Sequence, residues 1–184
     1  MHRTTLTIIA LVALAITSAV AGGMNNPVVG GKEMFPTKNI IENAVNSADH
    51  TTLVAAVKAA GLVETLEGAG PFTVFAPTNE AFNKLPAGTV DTLLKPENKS
   101  TLTKVLTYHV VAGRWSKADL MKKIRENNGS AEFTTVEGGK LWFAQDGKHI
   151  LLKDEKGGTA TITIANVFQS NGVIHVIDTV VMPK

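Results

Sequence analysis

Residues 72–82 read FTVFAPTNEAF, a short segment that combines two different local patterns. Its first part, residues 72–76, is rich in aromatic and β-branched residues, which is typical of a strand. Pro77 ends that strand, and Thr78 or Asn79 is then placed to cap the helix that follows. The segment therefore predicts a strand that passes directly into a helix.

Helical spacing surrounds this segment on both sides. Before it, apolar residues recur on one helix face over 40–45 and again over 53–60, where Gly61 fits a C-terminal stop. After it, short apolar patterns over 90–94 and 102–106 predict two further helices. The first half of the chain is therefore expected to be mostly helical.

In the second half of the chain, one more helix precedes a change to strand spacing. Ser116 and Asp119 resemble a capping box that opens this helix, which runs to about Asn127. Further along, apolar residues alternate with polar ones, and Asp146-Gly147 is a strong hairpin signal. Strands are predicted over 133–136, 140–145, 149–152, 159–164 and 173–177. Helices followed by strands around a single core, residues 39–184, indicate the α+β class.

Composition limits what the protein can be. The 184 residues suit one domain, and an apolar share of 44% with a charged share of 18% allows a real core and excludes a disordered chain. A formal net charge of +2 does not provide the basic face that nucleic-acid binding needs. The absence of cysteine excludes disulfides, thiolate metal sites and thiol nucleophiles.

The N-terminus predicts export. A basic start at residues 2–3, an apolar run over 6–16 and the small-residue triplet at 19–21 match a secretory signal peptide, residues 1–21. The run is shorter than the ~20 residues that a membrane-spanning helix needs. We therefore expect a secreted or periplasmic protein that begins at Gly22 and is not inserted in the membrane after cleavage. Residues 22–38, with several Gly and Pro, are expected to form an extended arm.

Three segments carry a resemblance to a known family. Residues 72–82, the pair Tyr108-His109 and residues 171–183 (NGVIHVIDTVVMP) resemble the signatures of fasciclin domains and occur in the family's order. The chain is similar to the bacterial secreted members that have one domain. The resemblance covers residues 39–184 and implies N-terminal helices wrapped around a β-sandwich-like core with a C-terminal β-meander. It also implies a role in adhesion or matrix interaction, with no known reaction.

The resemblance also suggests a contact patch. In animal members the Tyr-His pair and neighbouring apolar residues are implicated in integrin adhesion. Carried over to this sequence, the patch consists of Leu106, Tyr108, His109, Val110 and Val111. The alternative is that the pair anchors the strand that follows the helix over 102–106, because loops and rims carry recognition more often than core strands do.

The histidines in apolar surroundings have two interpretations. His109 and His175 form either a metal or proton-transfer pair, or two neutral core histidines with hydrogen-bonded rings. Metal ligands come as clusters of three or four residues, and the sequence has no such cluster, so we expect no metal and no cofactor. His50 and His149 are predicted to lie in a loop and a hairpin, exposed to solvent.

A hydrolase is the weakest of the functional classes considered. Ser170, His175 and Asp178 are too close along one strand for their side chains to converge, and no Gly-x-Ser-x-Gly motif is present. We therefore expect a protein that is not an enzyme.

The leading hypothesis is a secreted, non-catalytic adhesion module that binds a protein or a surface polymer. The alternative is a carrier that holds a small apolar ligand between helices and sheet. A closed core with an exposed apolar patch favours adhesion, whereas a pocket of several hundred cubic ångströms favours a carrier.

Overall fold

Helices and strands alternate through the part of the chain that the computed structural model describes, residues 26–184. The predicted signal peptide, residues 1–21, and residues 22–25 of the predicted arm lie outside it. The α-helices are α1 (Ile40–Ala44), α2 (Thr51–Ala60), α3 (Val63–Glu67), α4 (Asn79–Asn83), α5 (Thr89–Leu93), α6 (Lys99–Tyr108) and α7 (Lys117–Glu126). The strands are β1 (Val28–Val29), β2 (Lys32–Glu33), β3 (Phe72–Pro77), β4 (Val110–Ala112), β5 (Ser130–Thr134), β6 (Lys140–Asp146), β7 (His149–Lys153), β8 (Thr159–Gln169) and β9 (Gly172–Ile177). Short 3-10 helices, Ala48–His50 and Pro96–Asn98, precede α2 and α6.

The helix ends follow the local signals in the sequence. Gly61 ends α2 in the left-handed conformation with φ 72°, which a residue without Cβ adopts at little cost. The Thr78 side chain accepts a hydrogen bond from the Ala81 N–H, and Ser116 forms the predicted capping box with Asp119. The predicted caps of α4 and α7 are therefore confirmed.

One seven-stranded mixed sheet holds the fold together, in the order β4-β3-β9-β8-β7-β6-β5. β3 runs parallel to β9, and every other neighbouring pair in this sheet is antiparallel. An antiparallel bridge joins Val111 to Thr135, and the Val136 N–H donates to the Val110 carbonyl at 2.8 Å. The two ends of the sheet therefore meet, and the core is barrel-like. The predicted α+β class is confirmed.

Two apolar clusters fill the interior. One lies between the N-terminal helices and the sheet, and the other lies inside the meander with α7 against it. β9 separates them and is buried at all six positions, as expected for a strand that is apolar on both faces. Within residues 26–184, no helix is both long and apolar enough to cross a bilayer.

The arm differs from the extended form that its composition suggests. β1 and β2 pair as a hairpin through Gly30 and Gly31, whose φ values of 57° and 73° suit the tight turn. Val29 and Met34 are 4% and 5% exposed and belong to the helical cluster. Strands of two residues are too short to show alternation, so the Gly-Gly pair was the only signal for this first hairpin.

Candidate functional site

The five residues that the resemblance assigns to a contact patch lie where α6 passes into β4. Leu106 and Tyr108 belong to α6, and His109 is its C-terminal cap. Val110 and Val111 begin β4. Each of the five is at most 5% exposed. In this structure they therefore belong to the core.

Tyr108 ties α6 to the meander. Its side chain is fully buried, and its hydroxyl donates to the Lys140 carbonyl at 2.5 Å and accepts from the Glu155 N–H at 3.2 Å. Burial is the main cause that raises the pKa of Tyr108 to about 12. The Tyr108 hydroxyl therefore stays protonated at neutral pH, and its two hydrogen bonds hold α6 against the meander.

His109 links the end of α6 to the C-terminal segment. Its Nδ1 is 2.8 Å from the Val105 carbonyl, and its Nε2 accepts a hydrogen bond from the Val181 N–H at 3.2 Å. Because Nε2 accepts from an amide, the proton resides on Nδ1, which donates to the carbonyl. Burial lowers the pKa of His109 to about 4, against the smaller opposing effect of the Val105 carbonyl, so the ring is neutral at pH 7.

His175, on β9, is also a buried histidine with a backbone partner at each ring nitrogen. Its Nε2 is 2.8 Å from the Trp115 carbonyl, and its Nδ1 accepts from the Asn166 N–H at 3.3 Å. The imidazole stacks on Phe75 with ring centres 5.7 Å apart. Burial lowers the pKa of His175 to about 4. Both rings are thus neutral core histidines whose nitrogens already have backbone partners.

Because backbone groups already occupy the ring nitrogens of both histidines, neither ring is available to bind a metal ion or to transfer a proton. Within residues 26–184, no group of three or more His, Asp or Glu side chains is arranged to hold a metal ion. Asp178, just after β9, accepts a hydrogen bond from the Thr161 N–H at 2.8 Å. Neither Asp178 nor the exposed Ser170 bonds to the His175 ring.

His50 is the functional candidate that the sequence analysis missed, and the prediction that it is solvated is wrong. It is only 3% exposed. Its Nδ1 lies 2.8 Å from the Ser47 hydroxyl, while Nε2 has no hydrogen-bond partner and is the only such buried side-chain atom among residues 26–184. Burial lowers its pKa, although the nearby Ala76 carbonyl and Asp49 oppose this effect. The available signal was helical spacing, because His50 precedes Leu53 and Val57 on the apolar face of α2.

An apolar cavity adjoins His50. It measures about 50 Å³ and lies between the β1–β2 hairpin, α1, α2 and strands β3 and β9. Ser47, His50, Lys58 and His109 are the only polar residues in its lining. Lys58 is exposed, so this wall reaches the surface, whereas Val29 and Met34 cover the cavity from the hairpin.

A second, smaller depression lies beside the Tyr-His pair. It measures about 20 Å³, and its lining includes Leu106 and Val110 from the predicted patch together with Leu62, Phe72 and Val136. Val136 is 48% exposed, one of the few large apolar side chains in residues 26–184 that face solvent. This depression is therefore the accessible edge of the predicted patch.

Comparison with known proteins decides the family. A model of the fasciclin domain matches residues 48–183. The chain belongs to the fasciclin domain family. Protein sll1483 of Synechocystis sp. is 51% identical to this fasciclin domain over 145 residues, which are 78% of this chain and 73% of that protein. Cell surface glycolipoprotein MPB83 of Mycobacterium bovis is 32% identical over 165 residues, covering 90% of this chain and 64% of that protein.

A solved structure has the same fold as this fasciclin domain. It is a FAS1 domain pair from the insect cell adhesion molecule Fasciclin I, with a TM-score of 0.68 and 17% identity. The match covers 77% of this chain and 50% of that one. The resemblance inferred from three short segments is therefore confirmed, as is the fold that it implied.

Proposed function

We propose that this fasciclin domain is a non-catalytic adhesion module that works outside the cytoplasm and binds a protein or a surface polymer. Family membership supports the proposal, together with a structural relative that is a cell adhesion molecule and a sequence relative at a cell surface. The signal pattern over residues 1–21 supports the location. N-terminal sequencing of the exported protein should begin at Gly22.

The proposed domain boundaries extend slightly beyond the family match. We place the domain at 39–184 because Asn39 caps α1 and Ile40, only 2% exposed, belongs to the core. We propose residues 22–38 as the arm, whose hairpin over residues 28–33 packs on that core through Val29.

The depression at Val136 is the single observation that carries the proposal. The buried residues of the predicted patch give it a rigid floor, since Tyr108 and His109 are held by backbone hydrogen bonds. Val136 is fixed at its rim by the bond to the Val110 carbonyl at 2.8 Å. The depression has room for about one methyl-sized group, such as the tip of an apolar side chain or of an apolar group of a polymer, which is how a small anchor engages a partner. The contact surface thus includes Leu62, Phe72 and Val136, supported from within by the Tyr-His pair.

Two substitutions test this surface. Val136→Asp places a charge at the rim of the depression, and Val45→Asp is the matched control because Val45 is 49% exposed and lines neither the depression nor the cavity. Attachment to native cell-envelope fragments, measured by co-sedimentation, should weaken about tenfold or more for Val136→Asp, as expected for loss of an anchor contact. Val45→Asp should attach like the wild type. Equal attachment of all three proteins would contradict the assignment of this surface.

The carrier hypothesis requires a larger space. Sites for drug-sized ligands measure about 300–1,000 Å³, whereas the cavity beside His50 measures about 50 Å³. Adhesion therefore remains the better-supported function.

A further inference from the structure

The outer face of the meander carries one large aromatic side chain. On β6, Leu141 and Phe143 are fully buried, and Trp142 between them faces the opposite side of the sheet, because successive side chains of a strand alternate. Trp142 belongs to neither of the two apolar clusters. Within residues 26–184, its ring stacks on no other aromatic ring, and no Lys or Arg lies over it. The side chain is only half-buried, so part of its apolar surface is open to solvent.

The strand register places Trp142 in a row of four residues that crosses the sheet. Its direct neighbours are Glu132 on β5 and Lys153 on β7, and Thr159 on β8 follows Lys153. All three of these residues are exposed. Because neighbouring strands lie about 4.8 Å apart, the row is about 14 Å long. A row of this length suits several linked units of an extended chain.

Hydrogen bonds and charges fix the indole and leave one cation free. The Trp142 Nε1–H donates to the Glu132 carboxylate at 3.1 Å, which sets the direction of the ring. The same carboxylate pairs with Lys140 at 3.0 Å, so its charge is offset. Lys153 forms no ion pair with any residue among 26–184. The row therefore offers a partly open apolar ring beside an unpaired positive charge.

The surroundings of the ring are polar and contain several hydroxyl groups. Thr134, Thr159 and Thr161 project from the same face of the sheet. Protein interfaces are enriched in aromatic residues, Met and Arg and depleted in Lys and Glu, so one Trp among Lys, Glu and Thr is a poor match for a protein partner. A chain of sugars fits better, since each sugar ring has an apolar C–H side for an aromatic face and hydroxyl groups for hydrogen bonds.

We propose that this face binds an acidic polysaccharide, with one sugar ring stacked on Trp142 and a carboxylate of the chain paired with Lys153. The threonine hydroxyls bond to the hydroxyl groups of neighbouring sugars. Lys153 is exposed, so its ion pair is screened by salt and contributes less to affinity than the stacked ring does. The site shares no residue with the depression at Val136 and is a second contact surface of the module.

Three probes of equal length separate the parts of this site. Hexagalacturonate has acidic sugars, maltohexaose has neutral sugars, and hexaglutamate has carboxylates without sugar rings. Binding is followed in the full chain by NMR of the Trp142 indole N–H, with the other tryptophan, Trp115, as internal reference. We expect both sugars to shift the Trp142 signal, and at low salt hexagalacturonate should bind about threefold more tightly than maltohexaose. High salt should remove this difference, and hexaglutamate should leave the Trp142 signal unchanged.

Substitutions test the two assigned groups. Trp142→Ala should weaken hexagalacturonate binding about tenfold or more, as expected for loss of a stacking contact. Lys153→Gln should weaken it about threefold and remove the preference for the acidic chain. Lys95→Gln is the matched control, because Lys95 is also exposed but lies between α5 and α6, and it should bind like the wild type. Val136→Asp should also bind normally, so failure of the adhesion surface and failure of this site are distinguishable.

Every other outcome overturns part or all of this assignment. If neither sugar shifts the Trp142 signal of the wild type, the proposal is overturned, and this result does not depend on the folding of a variant. Equal binding to wild type and a folded Trp142→Ala would exclude stacking. Equal binding of the two sugars at low salt would exclude the role of Lys153. Hexaglutamate that shifts Trp142 and binds as tightly as hexagalacturonate would indicate an acidic peptide as the partner instead.

Discussion

Acid should destabilise the protein through its buried histidines. In an unfolded chain a histidine has a pKa near 6.5, whereas burial lowers the pKa of His109 and of His175 to about 4. Between these values the unfolded chain binds more protons than the folded protein, so protonation favours unfolding. The stabilising contribution is complete above about pH 6.5 and falls as the pH decreases towards about 4.

The expected loss is large. A difference between 6.5 and about 4 corresponds to about 3 kcal/mol for each ring. Two such rings give about 6 kcal/mol, which is comparable with the whole stability of an ordinary domain, about 5–15 kcal/mol. His50, whose pKa burial also lowers, acts in the same direction.

Urea unfolding at a series of pH values between 7.5 and 4.5 measures this effect. The free energy of unfolding should fall with a slope that approaches about 3 kcal/mol per pH unit near pH 5. His175→Gln should remove about half of this slope, whereas His149→Gln, at an exposed position, should leave it unchanged. A free energy of unfolding that stays constant from pH 7 to pH 5 would contradict this expectation, as would NMR titration of either core ring near 6.5.

Two further predictions concern stability. Asn171→Ala should lower the free energy of unfolding by about 2–4 kcal/mol. The Asn171 side chain bonds to the first turn of α1 at 3.1 Å and to two carbonyls at the end of α3 at 2.7 and 2.9 Å. A change below about 0.5 kcal/mol would contradict this prediction. A chelator should leave the melting temperature unchanged, and a decrease of several degrees would reveal a bound metal.

Local signals in the sequence were sufficient for most of the fold. Caps such as Thr78 and Ser116 act through short-range hydrogen bonds, so their residue types and spacing identify them directly. β8 was predicted only to residue 164 and continues to Gln169, because the alternation breaks where Asn166 adopts a left-handed φ of 61° and the register shifts. The closure of the sheet through Val111 and Thr135 depends on long-range pairing that no local pattern records.

The site was predicted less completely for the same reason. The sequence identified the region of Tyr108 and His109, but Val136 reaches it from a loop after β5. The burial of His50 depends on the hairpin, the approach of Gly30 to Ser47 and the packing of α1, which are all tertiary contacts. Polar neighbours in the chain, Asp49 and Thr51, made the position look solvated.

His109→Ala tests the main conclusion about the Tyr-His pair, which is that His109 stabilises the fold from inside and does not itself contact the partner. The substitution removes bonds to Val105 and Val181 and enlarges the adjoining cavity, which together should cost about 2–4 kcal/mol. Urea unfolding and envelope attachment are measured on the same preparation. We expect a lower urea midpoint and normal attachment of the folded protein. An unchanged midpoint and slope with loss of attachment would show instead that His109 contacts the partner itself.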